Sequence, residues 1–204
     1  MEPNQIEEQK DQIIKLLSSV KREGMDNLIE YLDKATFFKD PASAFFYDNY
    51  EGGLASHSLK VYKNLKGFQS LNPDLEKYED SIKVIGLLHD LSMIGSFHKA
   101  VKNMPMKGPD GKNKLDDTGR IIWLNKEVYE ANYETTLPYP HGQLSNQTIK
   151  KYMKLSTLED LAIFWHHGVH DTAQHMWPLL MRAQKAHKLV FLTYFADQMS
   201  HFFE

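Results

Sequence analysis

Ile82-Lys83-Val84-Ile85-Gly86-Leu87-Leu88-His89-Asp90-Leu91 is apolar at almost every position until a histidine and an aspartate enter it side by side. A helix that is apolar on most sides belongs in the middle of a protein. Burying an ionised carboxylate there costs several kcal/mol unless a positive charge compensates it. No Lys or Arg stands within one helical turn of Asp90. Asp197 poses the same problem on a late helix, where it aligns with Ala186, Val190 and Thr193. A divalent cation resolves both burials, because it supplies the charge and takes imidazole nitrogen and carboxylate oxygen as ligands.

Outward from this stretch the chain reads mostly helical. Ile13, Leu16, Leu17 and Val20 mark a first helix over residues 6–20, and Met25, Leu28, Ile29 and Leu32 a second after Gly24. Residues 37–53 form an aromatic-rich loop closing on Gly52-Gly53. A third helix covers 54–68, with His57 on the apolar face of Leu54, Val61 and Leu65. The fourth starts after Asp80 or Ser81 and runs to about residue 94. Helix resumes after Gly142, a Ser156-Thr157-Leu158-Glu159 capping box opens another, and the last covers 179–202. Between them, residues 96–140 hold Pro109-Asp110-Gly111 and Asp116-Asp117-Thr118-Gly119, both turn chemistry. In that excursion, residues 121–124 and 127–129 are expected to pair as a short hairpin across Asn125-Lys126. The expected fold class is therefore all-α, a helical bundle with one irregular excursion. A single domain spans 1–204, with residues 1–36 packing as N-terminal helices on a metal-site core of 37–204.

Composition narrows the chemistry. The 204 residues are 42% hydrophobic and 25% charged, with Lys+Arg 24 against Asp+Glu 27 and a net charge of −3. That balance argues against wrapping duplex nucleic acid on a basic face. No apolar stretch approaches a membrane span, and Met1-Glu2-Pro3-Asn4 lacks the layout of a signal peptide, so a cytoplasmic location is expected. With no cysteine, disulfides, thiolate zinc sites and cysteine nucleophiles are excluded. Ten histidines, by contrast, are about twice ordinary usage.

The arrangement of His57, His89-Asp90 and Asp197 resembles that of the HD-domain superfamily of metal-dependent phosphohydrolases: a His on one helix, His-Asp on the next, a distant Asp on a late helix. It is more specifically similar to a small HD-hydrolase family of bacteria and phages, with Tyr-Glu-Gly-Gly-Leu at 50–54, Leu-Leu-His-Asp-Leu at 87–91, Pro-Tyr-x-His-Gly at 138–142 and Trp-His at 165–166. The likeness runs from Ala42 to Asp197. It implies one ion held by His57, His89, Asp90 and Asp197, and a second reached by Asp90 with His141 and His166. His167 stands as a further ligand or as a residue that orients one.

The resemblance implies a phosphohydrolase of nucleotides or related small phosphoesters, with Asp90 catalytic and one or two divalent ions. A mixed imidazole and carboxylate set admits Mn, Fe, Co, Ni or Zn. Many relatives carry a Lys three residues after the Asp, where this chain has Met93. A replacement cation is expected from Lys99 or Lys102, or from Arg120 and the lysines of the excursion (Lys107, Lys112, Lys114, Lys126), folded over the site. Tyr47, Tyr139 and Trp165 are candidates to stack on a base. His98, His170, His175, His187 and His201 read as surface or packing residues, although His201 falls one turn after Asp197. His170-Asp171 reads as a solvated pair in a loop. Two other functions stay open: a catalytically weak metal- and nucleotide-binding module, which Met93 favours, and a single-strand nuclease, which the net charge disfavours.

Overall fold

A computed structural model describes residues 3–132 and 139–203. The N-terminal helices are α1 (Pro3–Ser18) and α2 (Met25–Lys34), the latter turning off Gly24 in a left-handed conformation, φ 87°. Helix α3 (Gly53–Ser70) packs between α4 (Glu79–Leu88) and α8 (Lys188–Phe202). Helices α5 (His141–Ile149), α6 (Thr157–Phe164) and α7 (Trp177–Ala186) complete the set. One buried apolar cluster joins them, from Ile13, Leu17 and Leu28 through Leu54, Val61, Leu65 and Ile85 to Ile163, Val190 and Ala196. The Ser156 capping box forms as expected, its Oγ accepting from the Glu159 amide while Glu159 accepts from the Ser156 amide.

The all-α expectation is corrected by a two-stranded antiparallel sheet, β1 (Phe97–Pro105) with β2 (Trp123–Ala131), which makes the fold mixed though mostly helical. The register runs from Phe97 opposite Ala131 to Pro105 opposite Trp123. The short hairpin expected across Asn125-Lys126 does not exist, because the chain runs straight through those residues as one strand. A two-residue turn needs left-handed conformations that Asn-Lys does not readily supply, whereas the true turns carry Gly111 and Gly119 at φ 76° and 79°. Residues 106–122 extend the ladder as an exposed arm bridged at Lys107–Asn113 and Leu115–Ile121.

Two helices end earlier than periodicity implies. Helix α4 stops at Leu88, so His89 and Asp90 stand at its C-terminal end, followed by a single 3₁₀ turn over Leu91–Met93. The final helical stretch breaks at His187, φ −137° and ψ 108°, into α7 and α8. Apolar spacing continues across both breaks, which is why sequence alone runs each pair together.

Candidate metal centre

Backbone contact sets the spacing of the centre. Gly86 faces α3 so closely that a Cβ there would lie 2.6 Å from the Tyr62 Cα. Gly142 faces α6 in the same way, its virtual Cβ 2.2 Å from the Ile163 carbonyl oxygen. The first approach brings the α3 histidine to the end of α4; the second brings the start of α5 against the end of α6.

The side chains that converge are His57, His89, Asp90, His166 and Asp197, all buried. His57 Nε2 lies 3.2 Å from His89 Nε2, 3.2 Å from Asp197 Oδ1 and 3.5 Å from Asp90 Oδ2. His89 Nε2 lies 3.6 Å from Asp90 Oδ2 and 3.8 Å from Asp197 Oδ1. The other oxygen of Asp90, Oδ1, points away to His166 Nε2 at 3.1 Å. Ligand atoms about 2.1 Å from a common ion stand about 3.0–3.4 Å apart at tetrahedral or octahedral angles, close to most of these separations.

Proton positions follow from the outer partners. His89 Nδ1 faces the Gly86 carbonyl at 3.1 Å and His166 Nδ1 the Ile163 carbonyl at 2.7 Å, so each Nδ1 carries the hydrogen. Ser200 donates its single hydroxyl proton to the Asp197 carbonyl at 2.6 Å, so the His57 Nδ1 facing its Oγ at 3.1 Å must donate as well. Whenever one of these imidazoles is neutral, this tautomer turns its bare Nε2 lone pair toward the carboxylates. Two lone pairs 3.2 Å apart in a dry interior repel unless a cation, proton or metal, lies between them.

Electrostatics agree with that balance. Every ion-pair partner of Asp90 and Asp197 among the described residues is a histidine. Burial works to raise both carboxyl pKa values, yet the surrounding imidazoles hold them well below the usual range. Burial works to lower His57 and His166, but the carboxylates beside them hold both above the ordinary imidazole value. His89 is pushed down to about 3 by burial and by its histidine neighbours, against the pull of Asp90 and Asp197. In the ion-free protein the carboxylates thus favour the protonated forms of His57 and His166 and leave His89 unprotonated. Asp90 Oδ1, His166 Nε2 and Asp197 Oδ1 remain buried without an aligned hydrogen bond, which is what a ligand set looks like without its ion. His57, His89 and Asp197, and likewise His89, Asp90 and His166, each place ligand atoms within 4.8 Å of one another, so these groups could hold a metal ion.

His141 joins this centre by way of His167. Its ring is 5.4 Å from that of His167, which is 4.1 Å from His166. Burial pushes His141 below its usual pKa. Asp171 accepts from the His141 amide at 3.2 Å and lies 3.8 Å from His167 Nδ1. Partial burial would raise its carboxyl, but His167 and His141 hold it low. Asp171 thus caps the first turn of α5 from a distant loop and is not a freely solvated residue.

The other candidates have contacts or exposure of their own. Lys99 pairs with Glu51 at 3.5 Å and Glu127 at 3.6 Å, Lys102 pairs with Glu130, and Arg120 is exposed on the arm. Met93 packs against the apolar core. Trp165 is buried there too, edge-on to Phe164, while Tyr139 is 52% exposed. Pro138, the first residue of the Pro-Tyr-x-His-Gly segment, lies outside the described residues.

Three residues at the centre carried little or no sequence signal. Asp48 is buried with φ 44°; its Oδ1 accepts from Tyr50 at 2.6 Å and Lys60 at 2.9 Å, and its Oδ2 lies 3.9 Å from His57 Nδ1. Ser200 fixes the His57 tautomer. His201 lies 3.3 Å from Asp197 Oδ1, and its spacing from Asp197 was the one available sign. Comparison with family models, with curated proteins and with solved structures finds no match. No helix among the described residues is long and apolar enough to cross a membrane.

Proposed function

We propose that this chain is a metal-dependent phosphohydrolase of the HD type, acting on a nucleotide or a related small phosphoester. The observation that carries the proposal is Asp90, whose two oxygens serve two histidine groups, Oδ2 toward His57 and His89 and Oδ1 toward His166. A carboxylate shared in this way suits a pair of divalent ions, of Mn, Fe, Co, Ni or Zn. Bound there, such ions would polarise a phosphoryl oxygen and lower the pKa of the attacking water.

The residues divide the work by position. His57, His89 and Asp197 would hold one ion and His166, with the neighbouring His141 and His167, a second, with Asp90 available to both. Asp90 stays ionised at neutral pH, so it accepts a proton-bearing partner and orients the attacking water. The Nδ1–H bonds to Gly86, Ile163 and Ser200 keep each Nε2 aimed inward without rearrangement during the reaction.

The second reading, a catalytically weak metal- and nucleotide-binding module, is favoured by Met93. It contributes no charge, and Lys99 and Lys102 are engaged by carboxylates. Reconstitution with Mn²⁺, followed by a screen of nucleoside mono- and triphosphates, cyclic nucleotides, dinucleotides and a labelled oligonucleotide, tests both. Release of phosphate from a small phosphoester supports the hydrolase. Tight binding without turnover selects the module, and cleavage of the oligonucleotide alone selects a single-strand nuclease. His89→Ala is expected to lose bound metal and, with it, the heat stability that metal confers by mass action, about 2.7 kcal/mol at a hundredfold excess over Kd. Unchanged metal content in that variant would remove the basis of the proposal.

A further inference from the structure

Beside the buried centre opens a cleft of about 670 Å³ lined by Phe46, Tyr47, Asp48, His201 and Phe202, among others. Its rim is aromatic and exposed, Phe46 by 87% and Phe202 by 75%. His201 and the Tyr47-Asp48 pair belong both to the cleft and to the surroundings of the ligands. His201 Nε2 is buried and has no hydrogen-bond partner, and the same holds for Asp197 Oδ1, 3.3 Å away. That is the relationship already seen between His166 Nε2 and Asp90 Oδ1 at 3.1 Å, and close to that between His57 Nε2 and Asp197 Oδ1 at 3.2 Å. Asp197 and His201 are i and i+4 on α8 and so share a face. Tyr47 stacks on the His201 ring at 3.7 Å and 18°, and His57 lies nearly parallel to it at 5.3 Å and 22°. The ring is thereby held with its nitrogen edge toward the carboxylate.

We propose that His201 is a further ligand of the first metal position, filling the coordination site that faces the cleft, and that an incoming phosphate oxygen displaces it. The inference rests on the metal-centre reading and extends it by one residue and one exchange. Its location makes the exchange easy, because the last turn of a helix frays and α8 ends one residue later, at Phe202. His57, His89, Asp90 and Asp197 sit in the interior and keep the ion when His201 leaves. The exchange would trade the His201 nitrogen for one phosphate oxygen. The cleft then holds whatever the phosphate carries.

Titration with Co²⁺, followed by visible absorption and without any substrate, tests this. The comparison is among wild type, His201→Ala, His201→Gln and His57→Ala, each checked for helical content by circular dichroism. His201→Ala is expected to bind as many ions as wild type, the first about tenfold more weakly, with an altered ligand-field band. Inorganic phosphate is expected to bind the variant about tenfold more tightly, since nothing need be displaced. It should also bring the wild-type spectrum to that of the phosphate-loaded variant. If both His201 variants keep the wild-type spectrum and phosphate affinity, His201 only packs and the proposal is overturned. If the two phosphate complexes stay spectrally different, the displacement is wrong. If wild type and His57→Ala alike bind no Co²⁺, the metal centre itself falls, an outcome distinct from the first two.

Discussion

Gly86 and Tyr62 meet backbone to backbone, with room for no Cβ between them. The contact does two things for the centre: it seats α4 against α3, and it places the Gly86 carbonyl 3.1 Å from His89 Nδ1. Gly86→Ala is expected to push the helices apart, costing about 1–3 kcal/mol as an overpacked contact. Because the His57–His89 spacing opens with it, metal affinity should fall by more than stability alone explains. Thermal melts and metal analysis of the purified variant check this; unchanged values in both would show that the interface relaxes without moving the ligands.

Metal uptake should be strongly pH-dependent, in a direction set by His57 and His166. Both are held above the ordinary imidazole value by neighbouring carboxylates, so both are protonated in the ion-free protein below those raised values. Each must lose its proton to ligate, so affinity falls as pH falls, by up to about tenfold per pH unit for each proton displaced, and levels off above the raised values. His89, already unprotonated above about 3, adds nothing to this slope. Isothermal titration in two buffers of different ionisation enthalpy counts the protons released. A release of none at pH 6 would contradict the assignment.

Asp171→Ala should act on the second metal position only. Its carboxylate holds the His141 amide and flanks His167, so its loss frees the first turn of α5. An affinity drop of about tenfold for the ion at the second position is expected, with the ion at the first unchanged. Two-site metal titration separates the two; equal weakening of both ions would mean that Asp171 acts on the fold as a whole.

Arg22 and Glu159 make a bidentate pair, with both contacts at 2.7 Å and Glu159 fully buried. The pair ties the α1–α2 connection to α6, which leads to His166. Burial alone would raise the Glu159 carboxyl, but Arg22 and the Ser156 amide hold it low. Its contribution is therefore present at neutral pH and lost as pH falls below the ordinary glutamate range. Arg22→Ala, which strands the carboxylate, is expected to cost about 3 kcal/mol, whereas Arg22→Met with Glu159→Leu should recover most of it. Denaturant melts of the single and double variants decide, and an additive double variant would refute the coupling.

The arm should be dispensable for folding. Pro105 and Trp123 are cross-strand partners, so an Asn-Gly turn joining them can replace residues 106–122. Those residues are almost all exposed, and stability is expected to change by less than about 0.5 kcal/mol. Arg120→Ala should leave turnover of a phosphoester unchanged for the same reason. A large loss in either would show that the arm reaches the centre.

Much of the centre was legible without coordinates. His57, His89-Asp90 and Asp197 each follow an apolar helical pattern, with no Lys or Arg within one turn of either aspartate, and periodicity reports burial directly. A buried charge then demands a partner whatever the fold. The helices, the Ser156 cap and the lack of thiol chemistry follow from equally local rules. What buries a face, or what a carboxylate meets, is not local. Strand β2 found its partner at residues 97–105, before the arm, because pairing across 17 intervening residues leaves no mark on either strand. Asp171 reached His141 from 30 residues away, and His201 was a packing residue until Tyr47 and Asp197 fixed its ring. The sequence determined which groups had to be neutralised; only the approach of backbones at Gly86 and Gly142 decided that they would be neutralised together, since close contact between distant segments is a property of the folded chain alone.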